Sequence, residues 1–175
     1  MARSWRRRRA RSVLWITAIV LLSGWTWTLD AQSNIGRHVR STNPAISDAI
    51  AEGEARSVTF RSLVQTIEGT DGIVYVERGR CGHGVPACLS LSVVSGGGFR
   101  MLRILVDSVR SVASLIAMIG HELQHAIELL TEPGVRTTTA AYNFYLREAP
   151  TARDTFETMA AIRAEVAVAA ELHRR

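Results

Sequence analysis

Apolar positions recur along the chain with two different periods, and the switches between them mark out its elements. Phe60, Leu63, Val64 and Ile67 fall at helical spacing within residues 57–68, and Gly69-Thr70-Asp71-Gly72 ends that segment. Before it, Asn43 or Thr42 can cap a helix with Pro44 at its first position. That helix should reach about Ala51, where Glu52-Gly53-Glu54 is expected to interrupt it. Ile73-Val74-Tyr75-Val76, rich in β-branched residues, reads as a strand. A strand over residues 88–94, a turn at Ser95-Gly96-Gly97-Gly98 and a strand over residues 99–107 predict a hairpin. From about Ser108 to Leu130 the period becomes helical: Val112, Leu115, Ile116, Ile119, Leu123, Ala126, Ile127 and Leu130 form one stripe. His121 and His125 lie opposite that stripe, one turn apart. Thr131-Glu132-Pro133-Gly134 stops the helix, a short helix or ordered loop follows over residues 138–147 until Pro150 breaks it, and a last helix is expected from about Asp154 to His173. The pattern predicts a one-domain α+β protein, a small and mostly antiparallel sheet backed by helices.

Residues 1–31 follow a third pattern. Arg3, Arg6, Arg7, Arg8, Arg9 and Arg11 precede an apolar run from about Val13 to Trp27, and small or polar residues follow. This is the layout of a secretory signal peptide. The run of about 15 residues is shorter than the ~20 of a spanning helix, so cleavage near Ala31 is expected, with an uncleaved N-terminal anchor as the alternative. Either places the rest of the chain outside the cytoplasm, in a periplasm or the extracellular medium. The leader also carries most of the charge imbalance. The chain has 21 basic and 16 acidic residues, and without the leader's arginines and Asp30 the two signs are equal in number. No basic face asks for nucleic acid, and Arg110 and Glu128 bracket the longest remaining apolar stretch, so no membrane contact is expected beyond the leader. Residues 32–55 read as a polar linker and a short helix, and residues 56–175 as one domain. Cys81 and Cys88 are expected to form a disulfide in an oxidising compartment. The alternative, a metal held by Cys81, His83 and Cys88, offers only three ligands in a glycine-rich loop.

The chemistry concentrates in His121-Glu122-Leu123-Gln124-His125. Histidines at i and i+4 of a helix point the same way and can reach one zinc ion. A catalytic zinc needs three protein ligands and an open position for water. Glu122 follows the first histidine and can approach that water from the side, as general base. The third ligand must come from elsewhere. Glu128 lies one turn beyond His125 and is rotated off the ligand side, and no third histidine follows at short spacing. Glu157 comes after a loop long enough to return it to the active helix. The same residue also completes a capping box, with Asp154 as the cap. Both readings stand, with Glu148 and Glu165 as further candidates for the ligand. Tyr142 and Tyr145 could donate to an oxyanion or serve as core aromatics.

A HELQH helix preceded by an edge hairpin and followed by a helix offering glutamate resembles the gluzincin zinc metallopeptidases in minimal single-domain form. It is similar also to exported bacterial proteins that pair a HELQHA segment with a C-terminal Phe-Glu-Thr helix. The resemblance covers about residues 56–173 and lacks the Asn-Glu-x-x-Ser-Asp form of the glutamate helix. It implies a zincin-like fold, zinc bound by His121, His125 and Glu157, Glu122 as base, and Phe99–Val106 as the strand that pairs with substrate. The expected function is metal-dependent hydrolysis of an amide bond in a peptide or protein. The rival is an exported, zinc-stabilised or degenerate domain that binds a partner without chemistry, and a cell-wall crosslink is a third kind of amide target.

Overall fold

The computed structural model describes residues 36–82, 84–107, 111–148 and 156–174. The expected leader, His83 and Asp154 lie outside these residues. Within them the chain is α+β: a four-stranded mixed sheet packed against helices.

Helix α1 (Pro44–Arg56) starts as its sequence dictates, with Pro44 in the first turn and the Asn43 side chain accepting from the Ile46 amide. It does not stop at Ala51. Glycine is disfavoured inside a helix by roughly 0.5–1 kcal/mol, but Gly53 faces the core, where a Cβ would stand 2.9 Å from both Ile116 Cγ2 and Phe60 Cδ1. The glycine is there to let helices approach, so the helix runs through it. Helix α2 (Val58–Glu68) follows at once, capped by Ser57, and buries Phe60, Leu63, Val64 and Ile67 as the period predicts.

Strand β1 (Val39–Arg40) falls inside the stretch read as linker. Two residues are too few to show a period, yet Val39 is buried and pairs with Val74. Strands β2 (Gly72–Arg78), β3 (Ala87–Gly96) and β4 (Phe99–Val106) complete the sheet in the order β1-β2-β4-β3. The hairpin forms, turning at Gly97 (φ 59°) and Gly98 (φ 86°), a left-handed pair that suits a two-residue turn. The sheet is not mostly antiparallel, however. β1–β2 and β2–β4 are parallel and only β3–β4 is antiparallel. After β2 the cysteine loop carries the chain past the next strand position to the outer edge, and β4 returns between β2 and β3. Composition explains the choice. Met101, Leu102, Ile104, Leu105 and Val106 make β4 apolar on both faces, as a central strand needs, whereas β3 carries Ser90, Ser92 and Ser95. The edge beside the site is therefore β3, and Phe99–Val106 is not an edge strand.

Helix α3 (Val112–Leu130), capped by Ser111, carries the HELQH segment, and helix α4 (Thr138–Glu148) follows. Helix α5 (Met159–His173) starts later than expected: the Thr158 hydroxyl accepts from the Ala161 amide and is the cap. Val112, placed on the apolar stripe by its spacing, is exposed at the start of α3. One core cluster joins the sheet to α1, α2, α3 and α5, including Ile46, Phe60, Ile104, Ile119 and Val168. The far end of α3 is tied to the sheet by Arg100, 3% exposed. Its guanidinium donates to the carbonyls of Leu129, Leu130, Glu132 and Val135 and to Asp71. Leu129 and Leu130 belong to the last turn of α3, whose carbonyls have no partner further along the helix, and Glu132 and Val135 lie in the segment just after it.

Candidate metal centre

His121, Glu122 and His125 are all buried, because the outer side of α3 is covered by α5, by residues 156–158 and by β3. The imidazoles are 4.9 Å apart, as helix geometry at i and i+4 requires. Each ring is held from behind by a carboxylate. His121 Nδ1 lies 3.0 Å from Glu165 Oε2, and His125 Nδ1 lies 3.0 Å from Glu128 Oε2. With both Nδ1 atoms engaged, the Nε2 atoms are the ring nitrogens left for another partner. Backing of this kind fixes the tautomer and orientation of metal-ligating histidines.

Glu157 meets this pair. Its Oε2 is 3.1 Å from His121 Nε2, and single ligand atoms of His121, His125 and Glu157 all lie within 4.8 Å of one another. This is the group among the described residues that could hold a metal ion. Its local structure is not the expected one, since Glu157 precedes the cap of α5 and is outside the helix. A capping box with Asp154 would need the helix to begin near residue 154, and it begins at Met159. Glu165 takes an outer position instead of a ligand's, and Glu148 stays exposed at the end of α4.

Glu128, which the spacing excludes as a ligand, is nonetheless part of the cluster. Its rotation off the ligand side is real, and that rotation is what places it behind His125. Burial pushes its carboxyl up, but hydrogen bonds from His125 and Thr158 outweigh this and hold it below the usual glutamate range. Glu122 behaves oppositely. Burial pushes its carboxyl above the ordinary value, against the pull of both histidines and the Leu89 amide. Its Oε2 accepts from that amide, on β3, at 2.6 Å. The Tyr145 hydroxyl donates to the His125 carbonyl at 2.9 Å and is buried, a structural bond, while Tyr142 is half-exposed against Phe156. The Tyr145 hydroxyl is thereby engaged by the main chain.

The cluster opens into a cleft of about 360 Å³ whose walls include Cys88, Leu89, Leu91, Glu122, His125 and Phe156. Cys81 and Cys88 are bonded, with Cα atoms 5.7 Å apart, so these cysteines are not metal ligands and their loop forms one lip of the cleft. The disulfide is compatible with an oxidising compartment, and no described helix is long and apolar enough to cross a membrane. No protein family, curated protein or solved structure matches the chain.

Proposed function

We propose that this protein is an exported zinc-dependent amide hydrolase, a metallopeptidase of minimal gluzincin-like form. The observation that carries the reading is the convergence of His121, His125 and Glu157, with Glu122 in the same cleft. The donor set fits zinc: two imidazole nitrogens oriented from behind and one carboxylate oxygen, leaving a coordination position for solvent or substrate. Bound there, zinc would polarise the scissile carbonyl and bring the pKa of a coordinated water toward neutrality.

The chain's own residues supply the rest. Glu122 takes a proton from the attacking water and returns it to the departing amine. Burial raises its affinity for that proton, which suits a group that must hold it between the two events. An extended peptide can lie along the free edge of β3. The hydrogen bond from the Leu89 amide to Glu122 supports a role for this edge, and not for β4, beside the base. Apolar walls at Leu89, Leu91 and Phe156 favour an apolar side chain next to the cut bond.

The competing reading is a zinc-stabilised binding domain without chemistry. It draws on the same bond, because a Glu122 tied to β3 could serve as a structural brace. Glu122→Gln separates them, since glutamine keeps the shape and can still accept from Leu89. With zinc loaded, hydrolysis of internally quenched peptides should fall by about 100-fold or more while metal content is unchanged. Equal turnover by both proteins would remove Glu122 as base.

A further inference from the structure

Glu157 stands on backbone that belongs to no helix or strand. It lies outside α5, its side chain is 43% exposed, and its partner among the described residues is His121 Nε2. Its two neighbours are secured, and both by routes that end on one residue. Phe156 stacks on Tyr145 with ring centroids 5.4 Å apart and planes at 23°, and the Tyr145 hydroxyl donates to the His125 carbonyl at 2.9 Å. Thr158 donates its hydroxyl to Glu128 Oε1 at 2.7 Å, and the other oxygen of that carboxylate meets His125 Nδ1 at 3.0 Å. One bracket grips the main chain of the second histidine and the other grips its ring.

We infer that Phe156 and Thr158 are positioning residues that present Glu157 to the metal, each through a contact that ends on His125. The third ligand is thereby registered against the second histidine as well as against the helix that Thr158 caps. This rests on the zinc reading above and deepens it, assigning the preorganisation of the ligand set to side chains that touch no metal. A loop carboxylate free to swing must be ordered each time an ion binds, whereas a bracketed one is already in place. The Thr158 hydroxyl serves twice, donating to Glu128 while accepting from the Ala161 amide, which fixes its rotamer and the point at which α5 begins.

The test is a set of zinc affinities on the full chain, measured by competition with a chromophoric chelator. Thr158→Val and Phe156→Leu are each made alone and on a Glu157→Ala background. Each single variant should weaken zinc by roughly 10–100-fold, the size of effect seen when an outer partner of a ligand is lost. On the Glu157→Ala background neither should weaken it further, because the ligand they position is gone. Thr158→Ser keeps the hydroxyl and should bind like the parent. With cobalt as the probe, the visible spectrum of Thr158→Val should move toward that of Glu157→Ala. A drop in apo melting temperature with unchanged zinc affinity would reduce Thr158 to a helix cap and overturn the inference. So would equal losses in both backgrounds. If Thr158→Val does not fold, Phe156→Leu and Thr158→Ser put the same question to the other bracket and to the hydroxyl. Should Glu157→Ala itself bind zinc like the parent, the ligand assignment falls first and the bracket with it.

Discussion

His121 and His125 stand on one helix that is tied down at both ends, by the Ser111 cap and by the Arg100 guanidinium. Glu157 stands outside any helix or strand and is held, among the described residues, by its contact with His121 and by what its neighbours touch. The first half of the site inherits its geometry from backbone hydrogen bonds, and a helix of this length is a stiff ruler. The second half is assembled by tertiary contacts between side chains. Affinity can therefore be lost without loss of fold at residues 156–158, whereas along α3 the two must be lost together.

The largest effect should come from untying the stiff half. Arg100→Leu removes the guanidinium that joins four carbonyls at and beyond the end of α3 to the sheet, and leaves Asp71 paired with Arg136. Stability should fall by about 3 kcal/mol or more, read as a lower urea midpoint. A loss under about 1 kcal/mol would mean that α3 is held chiefly by its apolar stripe.

Glu157→Ala probes the assembled half. Zinc affinity should drop by about 100-fold, or ~2.7 kcal/mol, while apo stability moves by less than about 0.5 kcal/mol, because the side chain is half solvated. Comparable losses in both quantities would erase the distinction between the halves.

Gly53→Ala sharpens the comparison at smaller cost. Alanine gains up to about 1 kcal/mol of helix propensity, yet its methyl would press on Ile116 of α3 and on Phe60. Overpacking of about 1–3 kcal/mol should win, giving a net loss in thermal unfolding. A stabilised variant would show that α1 and α3 can part without strain.

Acid should produce the mildest change. The Arg100 hydrogen bond, opposed by partial burial, holds Asp71 below the usual carboxylate range. Burial pushes Glu171 up, but bonds from the Ser57 hydroxyl and from the Thr59 amide and hydroxyl outweigh it and leave its pKa lowered. For both, the folded pKa lies below the unfolded one, so the unfolded chain binds more protons at low pH. Their contribution is present above the ordinary carboxylate pKa of about 4 and is lost as pH falls through the depressed folded values. Glu171→Gln should therefore cost stability at neutral pH and less at pH 3, in denaturant titrations at the two values. A cost independent of pH would assign Glu171 a packing role only.

The same division decides what could be read from the sequence. The histidine pair, the apolar faces of α2 and α3, the hairpin and the disulfide were legible, because each follows from spacing within a short stretch. Glu157 was legible as a residue type at a reachable distance, but its local structure was not. The Asp154–Glu157 pattern imitates a helix start, and the competing start at Thr158 won through the added bond to Glu128. Glu128 itself was dismissed by an accurate rotation argument put to the wrong question, since a residue turned away from the metal can still stand behind a ligand. β4 was misplaced at the edge because pairing on its second side is a property of the sheet and not of the strand. Its apolar content on both faces was the available signal. Gly53 gave a breaker's signal alone, because the two side chains that need its bareness come from other helices.

The most direct test of the account is the X-ray absorption spectrum at the zinc edge of the purified, metal-loaded protein. The expected result is one zinc per chain, with two imidazoles in the inner shell and nitrogen or oxygen scatterers at about 2.0–2.2 Å. In Glu157→Ala the two imidazoles should remain while one oxygen is lost or replaced by water. A sulfur shell near ~2.3 Å, or a protein that holds no zinc when purified under conditions that keep His121 and His125 intact, would contradict it.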